Sequence, residues 1–331
     1  MRTVLPAARA TGVGSLPGTD PLEAARVVLG ELPQLPHLPE LPARGPHADL
    51  AGRGTAVLVD LPADLQPSGW RLVPRPSRDG RRARDLLERD LDALQEVAGG
   101  AVLPALKLQV AGPWTLAALV DLPRGERVLS DPGAVDDLAA SLAEGVEAHL
   151  AAVRGRFPGT DLVLQVDEPL LPAVLGGQVP NASGAGRLRA PDERRATEVL
   201  ARVLGERAGT VVHCCAGDVP VPLLRAAGVA AVSVDLSALP RTADQALGEA
   251  VEGGTRLLLG VVPSTDAPIG TEKDVLAPVV ALWRRLGLDR AAVADAVTVT
   301  PTCGLAGATP AHARAALAAC TAAGRRLDDL A

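Results

Sequence analysis

The stretch Val211-Val212-His213-Cys214-Cys215-Ala216-Gly217-Asp218 holds the residues with the widest chemical reach in the chain. A β-branched pair runs into a His and two Cys and then breaks at Ala-Gly-Asp, the pattern of a strand ending in a loop. Side chains alternate between the faces of a strand, so His213 and Cys215 point one way and Cys214 the other. Two further candidates sit at the ends of later apolar runs: Asp235 after Val232-Ser233-Val234, and Cys303 after Val297-Thr298-Val299-Thr300. His213, Cys215, Asp235 and Cys303 form a donor set suited to tetrahedral zinc. A zinc ion already carrying two thiolates is poor at activating water and good at holding a third thiolate. A free thiol is only a few per cent ionised at neutral pH, whereas coordination deprotonates it. The chemistry implied is alkyl transfer to a bound thiol rather than hydrolysis.

Each residue also has a plainer use. Cys214 and Cys215 suit apolar filling of a strand, Asp235 suits a cap for the next helix, and Cys303 suits an ordinary loop. Four such residues at the ends of different strands favour a shared site. Cys214 faces away from it and Cys320 lies mid-helix among alanines, so both are expected to be inert core.

The elements that must position these groups are repeated βα units. Asp20-Pro21, Asp131-Pro132 and Thr309-Pro310 each combine a capping residue with Pro at the first helical position. Helices are expected at 81–97, 192–208, 221–227, 242–252, 272–286 and 310–323. Strands are expected at 106–110, 162–166, 231–235, 256–261 and 297–301, with another running to Cys215. The segment 10–16 reads as a first strand, and 56–61 with 70–74 as a possible hairpin. Five prolines between Leu32 and Pro46 exclude a helix or a central strand there. About eight strand candidates alternating with helices imply a parallel sheet closed into a single (β/α)8 barrel spanning 1–331, without a second domain. In a barrel, Gly14-Ser15, Asp167, His213, Cys215, Asp235 and Cys303 meet on one rim; an open sheet would spread them along an edge.

The chain is 331 residues long and 47% hydrophobic, yet it has three Trp, one Phe and no Tyr, so Ala, Val and Leu must build its core. The net charge of −6 argues against nucleic acid as a partner. No apolar stretch reaches the length of a membrane span, and Met1–Ala10 lacks the apolar core of a signal peptide. A cytoplasmic protein is expected, in which clustered Cys point to metal or catalysis rather than disulfides.

Val13-Gly14-Ser15, Gly112-Pro113-x-Thr115, Gln165-x-Asp167-Glu168-Pro169, His213-x-Cys215, Val232-Ser233-Val234-Asp235-x-Ser237 and Pro301-x-Cys303-Gly304-Leu305 occur in this order. Together they resemble the zinc-bearing C-terminal domain of cobalamin-independent methionine synthase, in the larger family that includes uroporphyrinogen decarboxylase. The resemblance implies a (β/α)8 barrel that transfers a methyl group to the thiol of homocysteine, giving methionine. It also implies zinc as cofactor on His213, Cys215, Asp235 and Cys303. Gly14 and Ser15 would hold the substrate carboxylate through their backbone. Asp167, the residue given a catalytic role, would hold the amino group, with Glu40 as a second carboxylate.

The sequence departs from the family at three places. Asp235 stands where Glu is usual, Leu119 where a Trp stacks on the folate pterin, and Pro263 and Thr265 where an Asp-x-His pair is usual. With the acceptor side kept and the folate side altered, a methyl corrinoid or corrinoid protein is expected as donor in place of methyltetrahydrofolate. Three rivals stand beside this reading: methyl transfer to another small thiol, a non-catalytic thiol- or zinc-binding barrel, and a decarboxylase-like enzyme. Trp114 is reminiscent of the last, but the chain has no Tyr, which that branch uses.

Overall fold

A computed structural model describes residues 6–330. Met1–Leu5, part of the N-terminal stretch weighed above as a signal peptide, lies outside the described residues, as does Ala331. Among the described residues, eight regular strands occur in chain order: β1 (Ala63–Gln66), β2 (Gly69–Leu72), β3 (Ala105–Ala111), β4 (Asp161–Asp167), β5 (Thr210–Cys214), β6 (Ala231–Asp235), β7 (Arg256–Val262) and β8 (Val297–Pro301). β3 to β8 form one parallel sheet in sequential order, and β1 and β2 form a separate antiparallel hairpin. The curled sheet therefore has six regular strands, not the eight expected.

Two extended segments lie between its outer strands. Ala10 bridges Val299 in β8, His37 bridges Lys107 in β3, and Ser15 bridges Glu40 between the two segments. Neither makes a regular ladder. The second contains Pro36 and Pro39, which have no N–H to donate, and the first contains Gly12 and Gly14, which weaken a strand.

The helices follow the sequence signals closely. Asp20 accepts from the N–H groups of Leu22 and Glu23, Asp131 from Gly133 and Ala134, and Thr309 from His312, each at the start of a Pro-initiated helix. Thr271 and Asp274 form a reciprocal capping box for the helix Glu272–Leu286. One expected element is overturned. Residues 56–61 do not begin a hairpin; Leu50–Val57 is a helix capped by Asp49, and Leu58 after it is extended. The partner of β2 is β1 instead.

Burial divides the sheet by face. One hydrophobic cluster runs from Ala10 to Leu327 and contains Leu106, Leu164, Val212, Cys214, Val232 and Leu259, the strand residues that face the helices. A second, small cluster of Ala8, Leu35, Ala105, Val163, Val211, Ala231 and Leu258 lies on the other face. Counting on by two residues from it along each strand reaches Lys107 and Gln109, Gln165 and Asp167, His213 and Cys215, Ser233 and Asp235, and Gly260. An apolar plug thus supports a polar layer towards the C-terminal ends of the strands.

Candidate functional site

Strand register builds the first half of the site. Asp167 in β4 is in register with His213 in β5, which is in register with Ser233 in β6. The three stand side by side in one row. Ser233 Oγ lies 2.9 Å from His213 Nδ1, while His213 Nε2 is buried and has no hydrogen-bond partner among the described residues. A nitrogen left bare in a polar layer is costly. Two sulfurs lie close to this ring: one ligand atom each from His213, Cys215 and Cys303 lie within 4.8 Å of one another. A single metal ion suits that donor set, because each residue offers a soft or borderline donor and the remaining nitrogen is fixed by Ser233.

The Sγ atoms of Cys215 and Cys303 are 3.3 Å apart. Their hydrogen bond holds the Cys303 thiol well below the usual thiol range, aided by His213 and the Gly304 N–H. The same bond pushes Cys215 up, as does burial. Cys214, facing the helices, is pushed up to about 12 by burial, and Cys320 is fully buried in the large cluster.

Asp235 is placed differently from the other three expected ligands. It follows Val234, the register partner of Cys214, but the close group contains only His213, Cys215 and Cys303. Its Oδ1 accepts from the Ser237 N–H at 2.9 Å and from Ser237 Oγ at 2.6 Å.

The second half of the site lies next to the first. Glu40 and Gly14 are joined by a backbone hydrogen bond of 3.2 Å, and the Leu305 N–H donates to Ser15 O at 2.8 Å. A Cβ built on Gly304 would meet Ser15 Oγ at 2.1 Å, so the Cys303 loop lies directly against Ser15. Glu40 is 3.3 Å from Arg53 Nε, and burial raises its carboxyl from the ordinary value. Burial likewise raises Asp167, against the pull of His213 and Lys107. Asp167 Oδ1 accepts from Gln165 Nε2 at 2.7 Å.

Three residues that the sequence reading left without a role belong here. Lys107 is fully buried and donates from Nζ to Val13 O at 2.8 Å and to Gln165 Oε1 at 2.6 Å. Glu168, also fully buried, accepts from the N–H groups of Trp114 and Thr115 and from Thr115 Oγ1. Arg53 pairs with both Glu40 and Asp90. Lys107 was detectable in principle: it and Lys273 are the only lysines in a chain that otherwise uses Arg.

The donor-side departures are also placed. Leu119 ends the helix Pro113–Leu119 half-buried. Pro263 O contacts His312 Nε2 at 3.0 Å, and Asp266 accepts from Thr309.

Residues 94–326, well over half of the chain, match the family described as "Cobalamin-independent synthase, Catalytic domain". The chain belongs to this family. Its members are methionine synthase-like methyltransferases, whose reaction is methyl transfer to homocysteine. The description as cobalamin-independent corrects the expectation of a methyl corrinoid or corrinoid protein as donor. A solved structure similar to this one is a B12-independent methionine synthase from Shewanella sp. W3-18-1 in complex with selenomethionine. It is 14% identical, with a TM-score of 0.65 over 97% of this chain and 98% of that chain. At that identity the likeness is one of fold. No curated protein matches the chain. No helix among the described residues is long and apolar enough to cross a membrane.

Proposed function

We propose that the chain, acting as one barrel over 1–331, transfers a methyl group to the thiol of homocysteine, with methyltetrahydrofolate as donor. The convergence of a His213 ring nitrogen with the sulfurs of Cys215 and Cys303 carries this reading. Zinc bound there would supply a substrate thiol kept as thiolate at neutral pH. His213, Cys215 and Cys303 would hold it, and Asp235, fixed by Ser237, is the proposed fourth ligand.

The chain's own residues then orient the acceptor. The Gly14-Ser15 backbone holds the carboxylate. Asp167 and Glu40 hold the ammonium, and the Cys303 loop lying against Ser15 keeps the two ends of the substrate in one mouth. The thiolate sulfur attacks the methyl carbon. As the S–C bond forms, the C–N5 bond of the folate breaks, and its electron pair stays on N5, which takes up a proton. The altered donor side, Leu119 and Pro263 to Thr265, favours one alternative: a barrel that binds zinc and a small thiol without turnover.

The test is metal content of the purified chain and of Cys303→Ser, followed by incubation with homocysteine. About one zinc per chain, lost in the variant, is expected. Methionine is expected from methyltetrahydrofolate. Methionine from methylcobalamin alone would reverse the donor, and zinc binding without methionine from either would favour the non-catalytic barrel.

A further inference from the structure

Lys107 is fully buried, whereas the other lysine, Lys273, is exposed. Burying such a group is costly unless its surroundings answer it, and what answers it here is informative. Nζ donates to Val13 O and to Gln165 Oε1. Gln165 Nε2 in turn donates to the same Val13 O at 2.9 Å and to Asp167 Oδ1 at 2.7 Å. The amide cannot turn over: with Oε1 facing an ammonium, its NH2 must face the two acceptors. Val13 immediately precedes the Gly14-Ser15 backbone, and Asp167 is the proposed holder of the amino group. One closed set of hydrogen bonds therefore reaches both ends of the amino-acid clamp.

Glu40 and Asp167 bring two carboxylates to the layer that holds Lys107, while Arg53 bridges Glu40 and Asp90 and Arg44 also pairs with Asp90. Arg in place of Lys107 would bring a planar fork of five donors where two converging acceptors suit a point charge.

We infer that Lys107 is the positioning residue that locks the carboxylate-holding and ammonium-holding halves of the clamp into one rigid unit. The role makes the site selective for a thiol that carries an α-amino acid end. This rests on the clamp proposed above.

The experiment measures binding of L-homocysteine and of 1-propanethiol, its side chain without the amino and carboxylate groups, to the zinc-loaded protein by calorimetry. Zinc affinity is measured beside it by chelator competition. Lys107→Met is expected to weaken homocysteine by about tenfold or more, with 1-propanethiol and zinc unchanged. Gln165→Leu keeps the ammonium and its bond to Val13 but cuts the link to Asp167, and is expected to act in the same direction even if Lys107→Met does not fold. Homocysteine binding equal to wild type in either folded variant would overturn the inference, as would an equal loss of homocysteine, 1-propanethiol and zinc. A wild-type protein that binds zinc and 1-propanethiol but shows no preference for homocysteine would overturn the amino-acid clamp itself.

Discussion

The two ring nitrogens of His213 see different surroundings, and that difference is what suits the residue to the ligand role proposed for it. Ser233 engages Nδ1 and leaves Nε2 bare, with the sulfurs of Cys215 and Cys303 close to the ring. Removing the hydroxyl frees the ring to rotate and to change tautomer. Ser233→Ala should therefore weaken zinc affinity by about 10- to 100-fold in a chelator competition, and Ser233→Thr should keep most of it. At this scale the sequence was informative where strand alternation decides. His213 and Cys215 share a face, Cys214 lies on the other, and Cys303 joins the first pair. It was less informative for Asp235, because a carboxylate after a strand caps a turn as readily as it binds a metal, and Ser237 occupies one of its oxygens. Ser233 was quoted within the Val232–Ser237 motif but given no role, because a lone Ser in an apolar strand carries no pattern of its own.

Helix placement depends on buried polar groups that local patterns do not reveal. Glu168 gathers three donors at the start of Pro113–Leu119, joining β4 to a helix over fifty residues earlier in the chain. Glu168→Ala would strand those donors away from water at about 1–3 kcal/mol each, and a clearly lowered midpoint in urea unfolding is expected. His149, on the helix Pro132–Arg156, is nearly buried, and desolvation, then Arg53 and Arg156, lower its pKa to about 4. Between that value and the ordinary 6.5 the unfolded chain binds a proton that the folded chain refuses, so this group's contribution is lost as pH falls. The stability advantage of wild type over His149→Gln should shrink by about 3 kcal/mol between pH 7 and pH 4. Measuring the difference cancels the opposing titration of the buried carboxylates, and an advantage that stays constant with pH would contradict a neutral buried imidazole. Asp-Pro and Thr-Pro starts made three helices readable from capping alone, since capping is local chemistry. Leu50–Val57 was not readable: its short apolar end, Ala56-Val57-Leu58-Val59, fits helix and strand equally, and only packing decides.

Across the whole molecule, the five ladders of the parallel sheet could be anticipated from apolar runs, but the irregular way in which β8 is joined to β3 could not. It depends on two irregular segments that meet through single bridges and through one very close approach. A Cβ added at Gly12 would lie 2.3 Å from His37 Nε2 and 3.1 Å from Leu317. Both neighbours are almost fully buried, so neither side chain has open space to move into. Gly12→Ala must push the first segment away from the second, or turn His37 out of its contact with Leu38 O, at a cost of about 1–3 kcal/mol. Because Val13, Gly14 and Ser15 follow directly, the displacement should reach the site, and homocysteine affinity should fall together with the melting temperature. His37→Ala removes the obstructing ring. In the double variant the two losses should then be smaller than their sum, the signature of residues in direct contact. Strictly additive losses would mean that the ring is held closed elsewhere, and that the rim residues of the first and last strands are brought together by something other than this contact.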